Sequence, residues 1–379
     1  MISAPGPRIM MTTDTIGGVW VFSAKLARAL GAAGFRVLLV TLGPRPTAAQ
    51  RAMISGCPDL ALMETDLALE WQDPAGSDLA HAHAVLADIA DRFAPHLVHL
   101  NGFREATFDW KVPTVVVAHS CVNSWAAACG ETESFSGDEW KIYSAAVGGG
   151  LRNADAWVAP TAMFRDQLME QYALRAKGHV IWNGVDGVGR SSEPKLPVIL
   201  SAGRLWDKAK NVSAIVSVAS RIDWPVRIAG PCGIEGSGFP STADGCEFLG
   251  EMPHEALLAE MKMASIFVSP ALYEPFGLSV LEAASAGCAL LLSDIPTFSE
   301  LWDGAALFVD PREPAAIERC LRSLCKDDLL RTRLQRAAAE RARHYPPRNT
   351  VNAYRSLYES LLARACGRPV MIESGGMLA

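Results

Sequence analysis

Short apolar runs rich in strand formers alternate with stretches of helical spacing along nearly the whole chain. Arg8-Ile9-Met10-Met11-Thr12 predicts a strand, residues 13–18 a loop, and 19–30, apolar at helical spacing, a helix. Residues 34–40 predict the next strand, completing the β–loop–α–β opening of a parallel sheet. From Thr47 to Gly76 the pattern weakens to a helix, a short strand and a polar loop. Residues 79–93 are helical; His81 and His83 stand two positions apart there, on different faces, and make no ligand pair. Residues 96–101 and 112–120 predict buried strands with polar tips. The stretch 121–150 carries Trp125 and Trp140 and closes on Gly148-Gly149-Gly150. A strand at 154–161, a helix at 163–172 and a strand and turn at 180–186 finish this block.

Gly187 to Pro197 is polar, rich in Gly, Ser and Pro, and unpatterned, which predicts a linker. A second series follows, with strands at 198–203, 225–229, 248–250, 264–268, 289–294 and 306–311. Its helices are expected at 212–221, 253–263 and 298–302, through 314–345, and at 351–364. Two such series predict an α/β protein of two doubly wound, Rossmann-like domains facing a cleft, residues 1–187 and 188–350. Residues from Gly367 onward read as a frayed tail.

The chemistry concentrates between Ser269 and Gly287. A strand there runs through a Pro- and Gly-containing loop into a helical pattern closed by Gly287. A helix start of that kind points unpaired N–H groups and a positive dipole end at an anion. Glu274 precedes the helix and Glu282 lies about one turn inside it. Two carboxylates beside an anion site suit a diphosphate with hydroxylated groups at both ends, since carboxylates accept strongly from hydroxyls. On the residues alone, an ordinary loop Glu and first-turn Glu remain the alternative. Arg204 at a strand end and a Lys before the next helix, Lys208 or Lys210, could clamp a diphosphate from two sides. Asn101, Arg104, His119 and Ser120 occupy strand ends of the first series, where open parallel sheets bind ligands. His119 there could bond a hydroxyl of the ligand; a satisfied strand-end histidine is the alternative.

Glu274-Pro275-Phe276-Gly277-Leu278-Ser279-Val280-Leu281-Glu282-Ala283 resembles the Glu, seven residues, Glu signature of the retaining glycosyltransferases of family four, which have the GT-B fold. Stretches from Gly17 to Asp310 fit the same family. The resemblance implies a metal-independent hexosyltransferase that moves a sugar from a nucleotide-diphosphate donor (UDP-, ADP- or GDP-hexose) to a hydroxyl of a glycan, glycolipid or small molecule, with configuration retained. It implies catalytic roles for His119, Arg204, Lys210 and Glu274. Donor contacts are implied at Gly17, Gly18, Phe276, Gly277, Leu278, Ser279 and Glu282, with Asn101 and Arg104 as acceptor contacts. The relatives' Gly-Arg-Leu-x-x-Glu-Lys-Gly is altered here by one extra residue, and Lys210-Asn211 directly precedes the helix as Lys-Gly does there, which favours Lys210. Trp182 stands where Pro is usual in Pro-Asn-Gly-Val-Asp. The terminal helix is expected to cross back onto the first domain.

Bulk properties narrow the field further. At 379 residues, 50% hydrophobic and 20% charged, the chain has enough material for two cores. A net charge of -6 without a basic block argues against nucleic acid and a polybasic membrane anchor. Peripheral membrane contact is not indicated. No secretory signal or spanning helix is expected, and nine cysteines without a Cys-x-x-Cys pair predict reduced thiols, a cytoplasmic location and no metal site or cofactor. The rival readings are a glycoside hydrolase, a nucleotide-sugar epimerase of the same fold, and a non-catalytic sugar-nucleotide-binding subunit. The hydrolase fits worst, because an anion-binding helix start separates the two carboxylates.

Overall fold

The computed structural model describes residues 6–187, 194–232 and 242–367. In chain order the first block runs β1 Arg8–Asp14, α1 Gly18–Ala32, β2 Arg36–Leu42, α2 Ala48–Ala52, β3 Leu60–Glu64 and α3 Leu79–Phe93. It continues with β4 Leu97–Leu100, β5 Thr114–Val117, α4 Val122–Cys129, α5 Asp138–Asn153, β6 Ala156–Ala159, α6 Ala162–Gln171 and β7 His179–Val180. The strands form one parallel sheet in the order β3-β2-β1-β4-β5-β6-β7. β1 lies inside the sheet, between β2 and β4, and is buried on both faces, hence its apolar run. Its alternate residues divide between two cores: Met10 joins Leu38, Val40 and Val98, whereas Ile9 and Met11 join Val37, Leu39 and Leu97.

The second block begins with β8 Leu196–Ala202, α7 Val212–Ala219, β9 Val226–Ala229, β10 Cys246–Gly250 and α8 His254–Met263. Then come β11 Ala264–Ser269, α9 Leu278–Ser285, β12 Ala289–Ser293, α10 Pro296–Trp302, β13 Leu307–Val309, α11 Pro314–Lys326 and α12 Asp328–Ala342. Its parallel sheet has the order β10-β9-β8-β11-β12-β13. The last helix, α13 Pro347–Ala365, returns to the first block, where Tyr354, Tyr358 and Leu361 are buried with Ile9, Met11 and Trp20. Most of the expected linker, residues 188–193, lies outside the described residues, and Leu196 and Pro197 already belong to β8. Among the described residues no helix is long and apolar enough to cross a membrane.

One local expectation is corrected. Gly148-Gly149-Gly150 does not close the Trp-containing stretch but lies inside α5. The reason is close packing, since a Cβ on Gly150 would stand 2.0 Å from the Phe103 carbonyl oxygen. Trp140 packs against Phe135 and Tyr143, in the same aromatic group as Trp125.

Candidate active site

Ligands of doubly wound sheets sit outside the carboxyl ends of strands, where the strand order reverses. The first sheet reverses between β1 and β4, the second between β8 and β11. Those four ends deliver the loop from Asp14 to Gly18, Asn101, Gly203-Arg204, and the segment leading to Glu274. Gly17 has φ of +71°, a conformation cheap only for glycine, and a Cβ there would lie 2.9 Å from Arg204 Nη1. A Cβ on Gly18 would stand 3.4 Å from Leu278 Cδ1. Gly17, Gly18, Arg204 and Leu278, far apart in the chain, therefore meet across the cleft.

Charge gathers behind this contact. Lys210 Nζ lies 2.5 Å from Glu274 Oε2, while Glu274 Oε1 accepts a hydrogen bond from the Gly277 N–H at 3.1 Å. Arg204 Nη2 lies 2.5 Å from Asp207 Oδ2, and Asp207 Oδ1 accepts from Trp125 Nε1 at 2.9 Å. Burial works to raise the Asp207 carboxyl, but Arg204, the Trp125 bond and Lys210 hold it below its ordinary range. Lys208 turns the other way and pairs with Glu131 of the first block. Exposure separates the two lysines: 22% and 15% for Lys210 and Glu274, against 51% and 30% for Lys208 and Glu131. Phe276 is buried edge-on to Tyr345, so only its backbone is free for a ligand. Gly277, Leu278 and Ser279 form the start of α9, whose first N–H groups lack intrahelical acceptors. Glu282, 7% exposed, is held through Oε1 by His254 Nε2 at 2.7 Å.

His119 enters from the end of β5. Two residues on, the Cys121 N–H donates to the hydroxyl of Tyr273, the neighbour of Glu274, at 3.0 Å. Thr161 Oγ1 donates to the Pro275 carbonyl at 3.0 Å, and Glu300 accepts from the first N–H groups of α6 at 2.8 and 2.7 Å. His119 is half-buried, its Nε2 2.6 Å from Asn101 Oδ1 and its ring edge-on to Phe22. Burial, and after it repulsion from His99, push its imidazole down to about 3, so it stays neutral. Burial likewise pushes the carboxyl of Asp14 up to about 6, against the Ile16 N–H bond and the Arg204 guanidinium.

Two expected acceptor contacts are not available as such. Arg104 is 3% exposed, with Nε on Glu105 at 2.9 Å, Nη1 on Asp73 at 3.0 Å and Nη2 on the Ala68 carbonyl at 2.6 Å. An arginine this buried, with each of its three nitrogens bonded inside the domain, does not face a ligand. Asn101 is similarly consumed, its Nδ2 donating to Thr12 O and Ser23 Oγ and its Oδ1 accepting from two histidines. The residues that sequence reasoning missed are Asp14, His99, Asp207 and His254. Only His99, a polar residue in the middle of a buried strand, left a signal of its own.

A cavity of about 530 Å³ lies between α1 and residues 183–186. It meets the cluster only at Leu278 and Glu282; Arg204, Lys210, Glu274 and His119 are not in its wall. The converging charges lie outside that cavity, and an anion needs fixed positive groups. A smaller pocket of about 50 Å³, lined by Asp14, Glu70, Trp71 and Glu105 among others, opens at the ends of β1 and β4. Burial, reinforced by the charge of Glu105, pushes Glu70 there up to about 7.

Residues 16–187 match the family model "Glycosyltransferase Family 4", and residues 190–341 match "Glycosyl transferases group 1". The glycogen synthase of Mycobacterium tuberculosis (strain ATCC 25618 / H37Rv) is 29% identical over 213 residues, 50% of this chain and 50% of that protein. The chain thus matches about half the length of that relative. The D-inositol 3-phosphate glycosyltransferase of Streptomyces avermitilis is 28% identical over 384 residues, 87% of this chain and 80% of its own. Among solved structures, sucrose-phosphate synthase from Thermosynechococcus elongatus is similar with a TM-score of 0.77 at 17% identity, over 94% of this chain and 100% of that one. HepE of Anabaena, solved in complex with UDP and glucose, has a TM-score of 0.73 at 16% identity, over 94% and 100%. At such identities the structural likeness speaks for the fold. With one family model on each sheet, the chain belongs to the glycosyltransferases of family four and has their two-domain GT-B fold.

Proposed function

We propose that this glycosyltransferase moves a hexose from a nucleotide-diphosphate sugar to an acceptor hydroxyl, retaining the anomeric configuration and using no metal. The observation that carries the reading is the ring of Gly17, Arg204, Lys210, Glu274 and the start of α9 around one point of the cleft. In this arrangement the two cations are held by Asp207 and Glu274. An entering diphosphate would take Arg204 and Lys210 as its own partners, releasing Glu274 to accept from sugar hydroxyls. Glu282, already oriented by His254, would take the ribose hydroxyls. As the glycosidic bond breaks, negative charge grows on the leaving diphosphate, and a preorganised guanidinium and ammonium stabilise it without a metal ion. The acceptor proton would pass to a leaving phosphate oxygen. HepE, which binds UDP, glucose and UDP-glucose, supports a nucleotide-sugar donor by its shared fold. A cytoplasmic location, where thiols stay reduced, fits a chain with nine cysteines and no Cys-x-x-Cys pair.

A donor panel read by nucleoside-diphosphate release tests this. Arg204→Ala is expected to lose about 10²–10³ in kcat on the preferred donor. Glu274→Ala should lose turnover as well, and variants as active as the wild type would overturn the assignment.

A further inference from the structure

His99 and Asn101 stand two positions apart at the end of β4, so their side chains leave the sheet on the same face. That face is the one α13 covers, and the fully buried Tyr358 of α13 places its hydroxyl 2.5 Å from His99 Nδ1. His99 Nε2 lies 3.1 Å from Asn101 Oδ1, and His119 Nε2 lies 2.6 Å from the same oxygen. The amide orientation is decided on its other side. Thr12 O, 2.7 Å away, is a carbonyl and accepts only, so the amide nitrogen must face it; that nitrogen also donates to Ser23 Oγ at 3.1 Å.

A carbonyl oxygen only accepts, so both imidazoles must present an N–H to it. His99 then carries its proton on Nε2 and accepts from Tyr358 through Nδ1. His119 carries its proton on Nε2, and burial keeps that ring uncharged. Its Nδ1 is left with a lone pair, and among the described residues no hydrogen bond reaches it. Every hydrogen-bonding site of Asn101 is thereby used: two donors, two lone pairs, four partners. With all four positions of its amide taken, Asn101 admits one arrangement of protons on the two imidazoles.

We infer that Asn101 is a positioning residue that locks His119 as the neutral Nε2–H tautomer, offering a lone pair on Nδ1 to a hydroxyl of the bound sugar, and that Tyr358 of the terminal helix completes the lock through His99. His119 then acts as an acceptor for a neutral hydroxyl and not as a cation beside the anomeric carbon. The identity of that hydroxyl rests on the transferase reading; the tautomer does not. The last helix, which joins no sheet, becomes part of the wiring of the site.

The test is ¹⁵N NMR of the histidine side chains in the full-length protein, joined to steady-state kinetics. Wild-type His119 should show the neutral Nε2–H signature with no titration between about pH 5 and 8. Asn101→Asp places a charged acceptor on both rings and should raise the His119 pKa by more than about two units, with kcat falling at least about tenfold. Tyr358→Phe, which removes a single oxygen, should give mixed His99 tautomers and a kcat loss of about threefold or more at little-changed donor KM. A wild-type His119 that titrates near its ordinary value, or carries its proton on Nδ1, overturns the lock. So does a Tyr358→Phe protein with unaltered histidine signals. If the spectra are as expected but wild type releases no nucleoside diphosphate from any donor, the transferase reading fails and the lock stands.

Discussion

The two sides of the cleft hold their functional groups by different physics. On the first-domain side, His119 is fixed by an uncharged chain of Asn101, His99 and Tyr358, each bond neutral and each member satisfied. On the second-domain side, Arg204, Lys210 and Glu282 are fixed by ionisable partners: Asp207, Glu274 and His254. A neutral network keeps one geometry whether or not a ligand is present. An ion pair at a partly open surface can exchange one anion for another, because a phosphate oxygen replaces a carboxylate oxygen at similar distance. The first side is thus built to stay as it is and the second to respond.

That contrast can be broken most forcefully at Lys210. With Lys210 on the leaving group as proposed, Lys210→Met should cost about 10²–10³ in kcat. Lys208→Met in the same assay should stay within about threefold, and equal losses would erase the distinction between the two lysines. A second, milder test concerns Glu282. His254→Ala removes one charged-group hydrogen bond, of about 1.5 kcal/mol, and should raise the donor KM about tenfold with kcat little changed. A kcat loss without a KM effect would place Glu282 in the chemistry instead of on the nucleoside.

The neutral side makes a prediction about acid. His99 and His119, held down to about 4 and about 3, take up protons in the unfolded chain near pH 6.5 but not in the fold. Their contribution to stability is therefore full above about pH 6.5 and is lost as the pH falls toward those values. Asp14 and Glu70, pushed up to about 6 and about 7, act in the opposite sense: the fold keeps their protons longer, so stability from them is lost as pH rises. The difference between wild type and His119→Gln isolates the histidine part, and the variant's melting temperature should vary less between pH 6.5 and 4. Identical pH profiles would argue that the imidazole is charged in the fold. The smallest effect is expected at the interdomain pair Lys208–Glu131. Its double-mutant coupling should be under about 1 kcal/mol and vanish in high salt.

The strand and helix alternation, the division into two sheets and the stretch from Glu274 to Glu282 were legible in the chain because each depends on neighbours in sequence. Periodicity is a local property, and a helix start after a Gly-containing loop carries its anion-binding character wherever it folds. Lys208 and Lys210 were separated in the chain only by the place of Lys210-Asn211 directly before a helix; the short helical turn at Lys208–Lys210 sends one to Glu131 and the other to Glu274. Arg104 and Asn101 read as ligand contacts because they stand at strand ends, yet both were consumed by partners from other elements. Asp73 and Ala68 hold the first, Thr12, Ser23 and His119 the second. The bond from Tyr358 to His99 joins positions 259 residues apart. Which polar groups remain free for a substrate is settled by such distant pairings. A hydrogen-bonding group can serve a ligand only if no buried neighbour has claimed it, and that is known only once the chain has closed on itself.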